Sequence, residues 1–451
     1  MRRLMSLLAL TGGLFAIKQY TDYDHSSLES TTISLGFLVL SAYMIGKVFE
    51  QLRLPKITGY IFSGILFGPG VLNLVSAHNI RDLDFINSMA LSLIALSAGA
   101  ELKIDFLKAY KRSFITIILS QYAIVFIMMS FLIIMKSFFS IFNTMSMIEV
   151  IAVSMLIGIV SMARSPSSTI AIIDEEQSEG RVTETVLGVT IALDVLVIMT
   201  FAIGISLCET VFSPASTMDF SLLLSLIIEI ALSIAIGVFL GWLISGYIRR
   251  VNAILPIILL TVGFFVTKLS LLFSEHLHVF GIKFEPLLIC IACGFYVQNF
   301  TDTGKRFLRS LDKVTLIVYT LFFSLSGASI QLSLLRSNWN IALFMFFIRF
   351  VSIGSSTTLG AKVARDPEPE RRLYWLGFIA QAGVTLGFAH EIARRFPEWG
   401  AELACIIIAV ISINQIAGPV TFKYALNAAG ESRGRKDLSR IIHNLKKTTS
   451  P

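Results

Sequence analysis

Asp194 is the residue whose type and position point most directly to chemistry. It lies near the middle of the apolar stretch "TVLGVTIALDVLVIMTFAIG", which is long enough to cross a lipid bilayer as a helix. A lone carboxylate at that depth is costly to ionise, so it is suited to holding a proton and a hard cation in turn. Thr190 lies one turn earlier on the same helical face and offers a further oxygen ligand. The alternative is a structural aspartate that a basic neighbour holds in place.

A second feature is the polar segment "SMARSPSST" at 161–169, which precedes the Asp194 helix. Pro166 removes one backbone amide, and Ser165 and Ser168 offer hydroxyls to the polar groups that a broken helix leaves exposed. We expect these two serines to join Asp194 and Thr190 as ligands of the cation. A harmless proline kink in a packed helix is the alternative. The segment "IAQAGVTLG" at 379–387 contains Gly383 and Thr385 and predicts a second broken helix that crosses the first.

Two arginines lie within apolar stretches and must find partners there. Arg349, in "ALFMFFIRFVSIGSS", is predicted to be a fixed positive group that holds the helix crossing together. Arg164 has two interpretations. It neutralises the partial charge of a helix end, or it pairs with Asp194 and so replaces a transported cation.

Three further polar residues lie away from the predicted crossing. Glu229 and Lys268 fall at similar depths on neighbouring antiparallel helices, which predicts a structural ion pair. His390 follows the second interruption and is predicted to be a packed or interfacial histidine rather than a proton relay.

The composition excludes a water-soluble enzyme. Of the 451 residues, 55% are hydrophobic and only 15% are charged, whereas about a quarter are charged in an average soluble protein. We predict an all-α polytopic membrane protein with thirteen spanning helices, or fourteen if residues 1–17 form an extra one rather than a signal-like segment. The predicted spans begin near residues 32, 56, 85, 113, 147, 183, 219, 252, 283, 312, 337, 371 and 400.

The net charge of +7 reflects membrane topology better than it reflects nucleic-acid binding, because the basic residues lie in short connections. Most of them fall on one side of the predicted membrane, and the other side is sparse, with Arg81, Lys136, Lys283, Arg336, Arg394 and Arg395. The basic-rich side is predicted to be cytoplasmic, together with the basic tail at 426–451, which is too short for a nucleotide-binding module. No cofactor is expected, since Cys290-x-x-Cys293 has neither a second pair nor nearby histidines.

The two halves of the chain resemble each other. "LSAGAELKIDFL" at 96–107 is similar to "LSGASIQLSLL" at 325–335, and "GILFGPGVLN" at 64–73 is similar to "ACGFYVQN" at 292–299. Together with the paired interruptions, this predicts two inverted six-helix repeats with an ion-binding site where the broken helices meet. The predicted boundaries are an N-terminal segment at 1–31, repeats at 32–208 and 252–425, and a linker helix at 219–247.

These motifs together resemble the monovalent cation/proton antiporter superfamily, including its sodium/proton and potassium-efflux branches. "GYIFSGILFGPGVLN" (59–73) is similar to the second-helix signature, and "SSTIAI" (167–172) to the broken helix of the potassium-efflux branch. "AGVTLGFA" (382–389) matches the second break, Asp194 falls on the family's key acid, and Arg349 on its late basic residue. The resemblance implies crossed, discontinuous helices that move against a dimerisation bundle, and hence a homodimer.

By resemblance, the function is exchange of Na⁺ or K⁺ for protons by alternating access in a bacterial inner membrane. The chain departs from the family where Leu193 replaces the usual Asn or Asp, and where Arg164-Ser165-Pro166 replaces Thr-Asp-Pro. These departures leave open a second hypothesis, in which Arg164 locks Asp194 and the chain is a transport-inactive or gated ion or pH sensor, or the membrane subunit of a larger complex with a separate regulatory partner. A more distant third hypothesis is an unrelated symporter with broken helices, such as one for organic anions, which a positive Arg164 would suit.

Overall fold

The computed structural model describes residues 28–131, 145–212, 220–251, 254–276, 286–330, 338–381 and 384–432, together with a few isolated positions. The regular structure within these ranges is entirely helical. The predicted extra helix or signal-like segment at 1–17 and most of the basic tail lie outside the described residues.

The first half of the chain and the linker contain ten helices in the described ranges. They are α1 (Leu28–Gln51), α2 (Lys56–Phe67), α3 (Ala77–Asp82), α4 (Asp84–Glu101), α5 (Ile104–Ala109), α6 (Lys111–Ser130), α7 (Met147–Met162), α8 (Pro166–Glu176), α9 (Arg181–Phe212) and α10 (Phe220–Arg250). The second half contains α11 (Leu255–His276), α12 (Pro286–Phe300), α13 (Gly304–Ala328), α14 (Trp339–Ala364), α15 (Glu368–Arg371), a 3-10 turn (Tyr374–Phe378), α16 (Val384–Arg395) and α17 (Gly400–Ala429).

Seven of the described helical spans are long and apolar enough to cross a membrane, or eight if the bent helix α13 is counted as one span. Four shorter apolar segments, within α2, α4, α11 and α12, accompany them. The thirteen or fourteen spans stay a prediction, because this number covers only the described residues and only helices of at least 18 residues. This inventory is that of an integral, multi-pass membrane protein.

The chain divides into two compact units, and each unit combines segments from both halves. The first unit comprises residues 1–103 and 225–333, and the second comprises 104–224 and 334–451. The linker helix α10 lies almost entirely in the first unit, whereas both predicted interruptions lie in the second.

Glycines allow two helix pairs of the first unit to pack closely. A Cβ added to Gly64 of α2 would lie 2.0 Å from the Ser324 carbonyl oxygen of α13. A Cβ added to Gly327 of α13 would lie 2.2 Å from the Ile61 carbonyl oxygen of α2. In the same way, α4 and α12 approach through Gly99 and Gly294. Any larger residue would separate these backbones.

The second unit is built around a long contact between α6 and α14, to which α7, α8, α9 and α17 are added. Helix α7 begins at a capping box, in which the Ser146 hydroxyl accepts from the Glu149 amide and the Glu149 carboxylate accepts from the Ser146 amide. It ends at Met162, in the middle of a 30-residue apolar segment, where the chain becomes extended. That break positions the candidate site.

Candidate functional site

The first interruption consists of three non-helical residues between α7 and α8. Ala163 is extended, with ψ of 144°, and Ser165 is the N-cap of α8. The Ser165 hydroxyl accepts from the Ser168 amide at 3.2 Å. Pro166 occupies the first helical position, where its lack of a backbone N–H leaves no donor unsatisfied. The Ser165 amide donates to the Ala380 carbonyl at 3.2 Å, which joins this break to the segment between the 3-10 turn and α16.

Arg349 fastens both non-helical segments to α14. Its guanidinium donates to the Ser161 and Ala163 carbonyls at 3.0 Å each, to the Ile379 carbonyl at 2.8 Å, and to the Asn414 side-chain oxygen at 3.1 Å. The residue is 1% exposed. This geometry is that of a fixed positive group at a helix crossing.

Arg164 donates to the same two carbonyls and extends the network to α6. Its NH1 group contacts the Ser161 and Ala163 carbonyl oxygens at 3.0 Å each, and its NH2 group contacts the Gln121 side-chain oxygen at 2.9 Å. The Gln121 amide in turn donates to the Thr357 hydroxyl on α14 at 3.0 Å.

The two guanidinium groups therefore compensate the C-terminal end of α7. Ser161 and Ala163 each accept from both arginines, so both lone pairs of each carbonyl oxygen are used. The carbonyl end of a helix carries partial negative charge, which favours cations at this position. Among the described residues, every acceptor of Arg164 and Arg349 is a carbonyl or amide oxygen, and none is a carboxylate.

Two buried amides complete the crossing between the interruptions. Gln381 donates to the Val160 carbonyl at 3.0 Å, and Asn414 on α17 donates to the Gln381 side-chain oxygen at 3.0 Å. Sequence reasoning missed Gln121, Gln381 and Asn414. The signal was available, because an uncharged amide in an apolar membrane helix needs an internal partner as much as an arginine does.

Asp194 and Thr190 lie buried on α9, with 6% and 0% exposure. The spacing of four residues puts them on one face of the helix. The Thr190 hydroxyl is buried and has no hydrogen-bond partner in the described part of the chain, so its oxygen is available to a ligand. The hydroxyls of Ser165 and Ser168, which were predicted to bind the cation, contact each other at 2.9 Å and are both buried.

The other predicted site residues are placed as follows. Thr385, in the first turn of α16, is fully buried and its hydroxyl has no hydrogen-bond partner among the described residues. Gly383 lies outside the described residues. Glu229 is half-buried and Lys268 is exposed, on α10 and α11 of the first unit, and their pairing stays a prediction.

Clusters of three or more His, Cys, Asp or Glu side chains able to hold a metal ion do not occur within the described residues.

Known proteins resemble this chain in sequence family and in fold. A family model described as "sodium/hydrogen exchanger, transmembrane" matches residues 36–428. Two solved structures of the sodium proton antiporter MjNhaP1 from Methanocaldococcus jannaschii are similar in fold. The one at pH 8 has a TM-score of 0.66 at 18% identity and covers 89% of this chain and 97% of that one. The one from electron microscopy has a TM-score of 0.70 at 18% identity, with coverage of 89% and 96%.

No curated protein matches the chain at a significant level. The family match nevertheless extends from α1 to within α17, and it includes both interruptions, both arginines and Asp194. The chain belongs to the sodium/hydrogen exchanger family.

Proposed function

We propose that the protein is a secondary active transporter that exchanges Na⁺ or K⁺ for protons by alternating access, with Asp194 binding the proton and the cation in turn. Family membership supports an exchanger, and the single observation that carries the site is a buried carboxylate on α9 beside the available hydroxyl of Thr190. One shared carboxylate couples the two ions, because each must leave before the other binds.

The partners of Arg164 favour this proposal over the locked alternative. A transport-inactive protein in which Arg164 locks Asp194 requires an ion pair between them. The Arg164 guanidinium instead donates to Ser161, Ala163 and Gln121. We therefore assign Arg164 and Arg349 to compensation of the helix ends at the crossing, and we assign Ser165 and Ser168 to the α8 cap, from which we propose that they contribute oxygens to the cation.

The paired glycines support the proposed inverted repeat. Gly64 and Gly294 lie in one pair of similar segments in the two halves, and Gly99 and Gly327 lie in the other pair. Gly64 packs on α13, which carries Gly327, and Gly294 packs on α4, which carries Gly99. Each contact thus joins the two repeats, and exchange of the repeats converts one contact into the other, as a two-fold relation requires.

Three parts of the proposal rest on the resemblance and on charge placement. The unit with the interruptions moves, and the unit with α10 forms the homodimer. The basic-rich connections and the C-terminus face the cytoplasm of a bacterial inner membrane. A separate regulatory subunit is a further proposed partner.

Cation-driven proton movement in proteoliposomes tests the proposal. Addition of Na⁺, K⁺ or Li⁺ in turn to vesicles that contain a pH-sensitive dye should change the internal pH with wild-type protein and with Asp302→Asn. Asp302 is a suitable control because it is exposed in the α12–α13 connection, where the hydrogen bond from Arg249 lowers the pKa of its carboxyl. Asp194→Asn, of nearly the same shape, should abolish the signal while the protein remains folded. Wild-type flux in Asp194→Asn would refute the assignment.

A further inference from the structure

The first turn of α9, the helix that carries Asp194, is capped by a carboxylate from near the other end of the chain. Oε1 of Glu431 accepts from the Val182 amide at 2.8 Å, and its Oε2 accepts from the Thr183 amide at 2.8 Å and the Thr183 hydroxyl at 2.7 Å. Glu431 is 8% exposed. Both oxygens are thus committed to the first turn of α9, whose amides have no partner within the helix.

The connection before α9 is shaped around this side chain. Gly180 has a φ of +157°, and a Cβ at that position would lie 2.3 Å from Cδ of Glu431 and 2.5 Å from its Oε1. The Glu431 carbonyl also accepts from the Glu179 amide at 3.3 Å. A glycine is therefore required here both for the backbone conformation and for the space that Glu431 occupies.

Glu431 is itself held firmly at the end of α17. Gly430 ends that helix in the left-handed conformation, with a φ of 72°, and the Glu431 amide donates to the Leu426 carbonyl at 3.1 Å. The following residue, Ser432, donates to the Asn427 side-chain oxygen at 2.7 Å and is 1% exposed. The carboxylate thus connects two helices that are far apart in sequence.

The charge of Glu431 suits this contact. The amide end of a helix carries partial positive charge, and hydrogen bonds to an ionised carboxylate are stronger than neutral ones. Asp194 lies twelve residues after Val182 on the same uninterrupted helix, which is about 18 Å along the axis at about 1.5 Å per residue. Because the helix is rigid, a displacement of its first turn along the helix axis also displaces Asp194.

We propose that Glu431 is a positioning residue for Asp194: it fixes the start of α9, and the segment that follows the last helix thereby sets the position of the ion-binding carboxylate. This inference rests on the proposed exchange function. A cap that acts on stability alone would leave the cation KM of the folded protein unchanged. A positioning residue alters that KM, because Asp194 and Thr190 move with α9 whereas ligands on other helices do not.

The experiment compares wild type with Glu431→Gln and Gly180→Ala, and uses Glu398→Gln, at an exposed glutamate shortly before α17, as the matched control. Glu431→Gln keeps the side-chain shape but removes the negative charge and one acceptor oxygen. Gly180→Ala keeps Glu431, but the added methyl group displaces its carboxylate from the first turn of α9. Hydrogen exchange of full-length protein is measured on the peptide that contains Val182 and Thr183. Loss of the cap should speed exchange there by about 2- to 30-fold in both variants. Glu398→Gln should exchange at the wild-type rate.

Transport by the same samples tests the positioning role. Both variants should raise the cation KM by about three- to tenfold, with the maximal rate within about twofold of wild type, because small displacements of a binding group weaken the geometry it must satisfy. Unchanged hydrogen exchange in both variants would contradict the capping of α9 by Glu431. Faster exchange together with an unchanged KM in a folded protein would overturn the positioning role. A wild-type protein without cation-driven flux would instead contradict the proposed function. The hydrogen-exchange measurement does not depend on transport, so it still tests whether Glu431 caps α9.

Discussion

The two buried arginines should differ in their effect on stability although both are almost inaccessible to solvent. Arg349→Ala leaves the Ile379 carbonyl and the Asn414 side-chain oxygen without the donors that they have in the wild type, since Ser161 and Ala163 still accept from Arg164. At about 1–3 kcal/mol for each buried unsatisfied acceptor, the loss is about 2–6 kcal/mol.

Arg164→Ala should cost about half as much. It deprives only the Gln121 oxygen of its arginine donor, because Arg349 continues to donate to both shared carbonyls, so the loss is about 1–3 kcal/mol. Removal of a buried guanidinium also recovers part of its desolvation cost, which lowers both figures but not their order.

The shared carbonyls predict that the double variant is worse than the sum of the single variants. When both arginines are replaced, Ser161 and Ala163 lose both donors, which adds about 2–6 kcal/mol beyond additivity. Apparent melting temperatures in detergent measure this order, with Arg250→Ala, an exposed arginine at the end of α10, as the control. Equal effects of the two single variants, or an additive double variant, would refute the shared-acceptor reasoning.

Two more predictions concern the ion site and the helix packing. Thr190→Val removes a buried hydroxyl without changing the side-chain shape, so the cation KM in proteoliposomes should rise about tenfold while the melting temperature stays near the wild-type value; an unchanged KM would exclude this hydroxyl as a ligand. Gly294→Ala puts a methyl group 2.1 Å from the Leu96 carbonyl oxygen and should destabilise the protein by about 1–3 kcal/mol in thermal melts, whereas Gly246→Ala, with nothing within 4 Å, should be neutral or stabilising. Equal effects of the two alanines would argue against close packing of α4 and α12.

Much of the helical pattern was predictable, because length and hydropathy are strong signals in a membrane chain. The predicted starts near 56 and 147 coincide with α2 and α7, and those near 85, 183 and 400 agree with α4, α9 and α17 within a few residues. The start near 312 was placed late, since α13 begins at Gly304 within a basic, less apolar turn that hydropathy does not count as helix. The predicted span near 371 is a short helix, a 3-10 turn and α16 rather than one helix.

For the candidate site, the sequence offers residue types, whereas their hydrogen-bond partners depend on the fold. The depth of Arg349 in an apolar stretch indicated a structural role, and the four hydrogen bonds agree with that interpretation. For Arg164 the sequence left two interpretations open, because the choice depends on where a long side chain points. Gln121, which accepts from it, lies 43 positions away, and nothing in the local pattern links the two. The contact of Glu431 with Thr183 spans 248 positions and is equally invisible in the sequence.

The dependence of the cation KM on pH tests the central claim, that one carboxylate holds either a proton or a cation, most directly. Competition for a single site predicts that the KM for Na⁺ or K⁺ rises about tenfold for each unit of pH lowered through the range in which Asp194 is protonated, with the maximal rate little changed. The measurement uses proteoliposomes with the pH clamped on both sides and a radioactive cation as the transported ion. A cation KM that stays constant while protons become tenfold more abundant would contradict the account, because the two ions would then bind at separate sites.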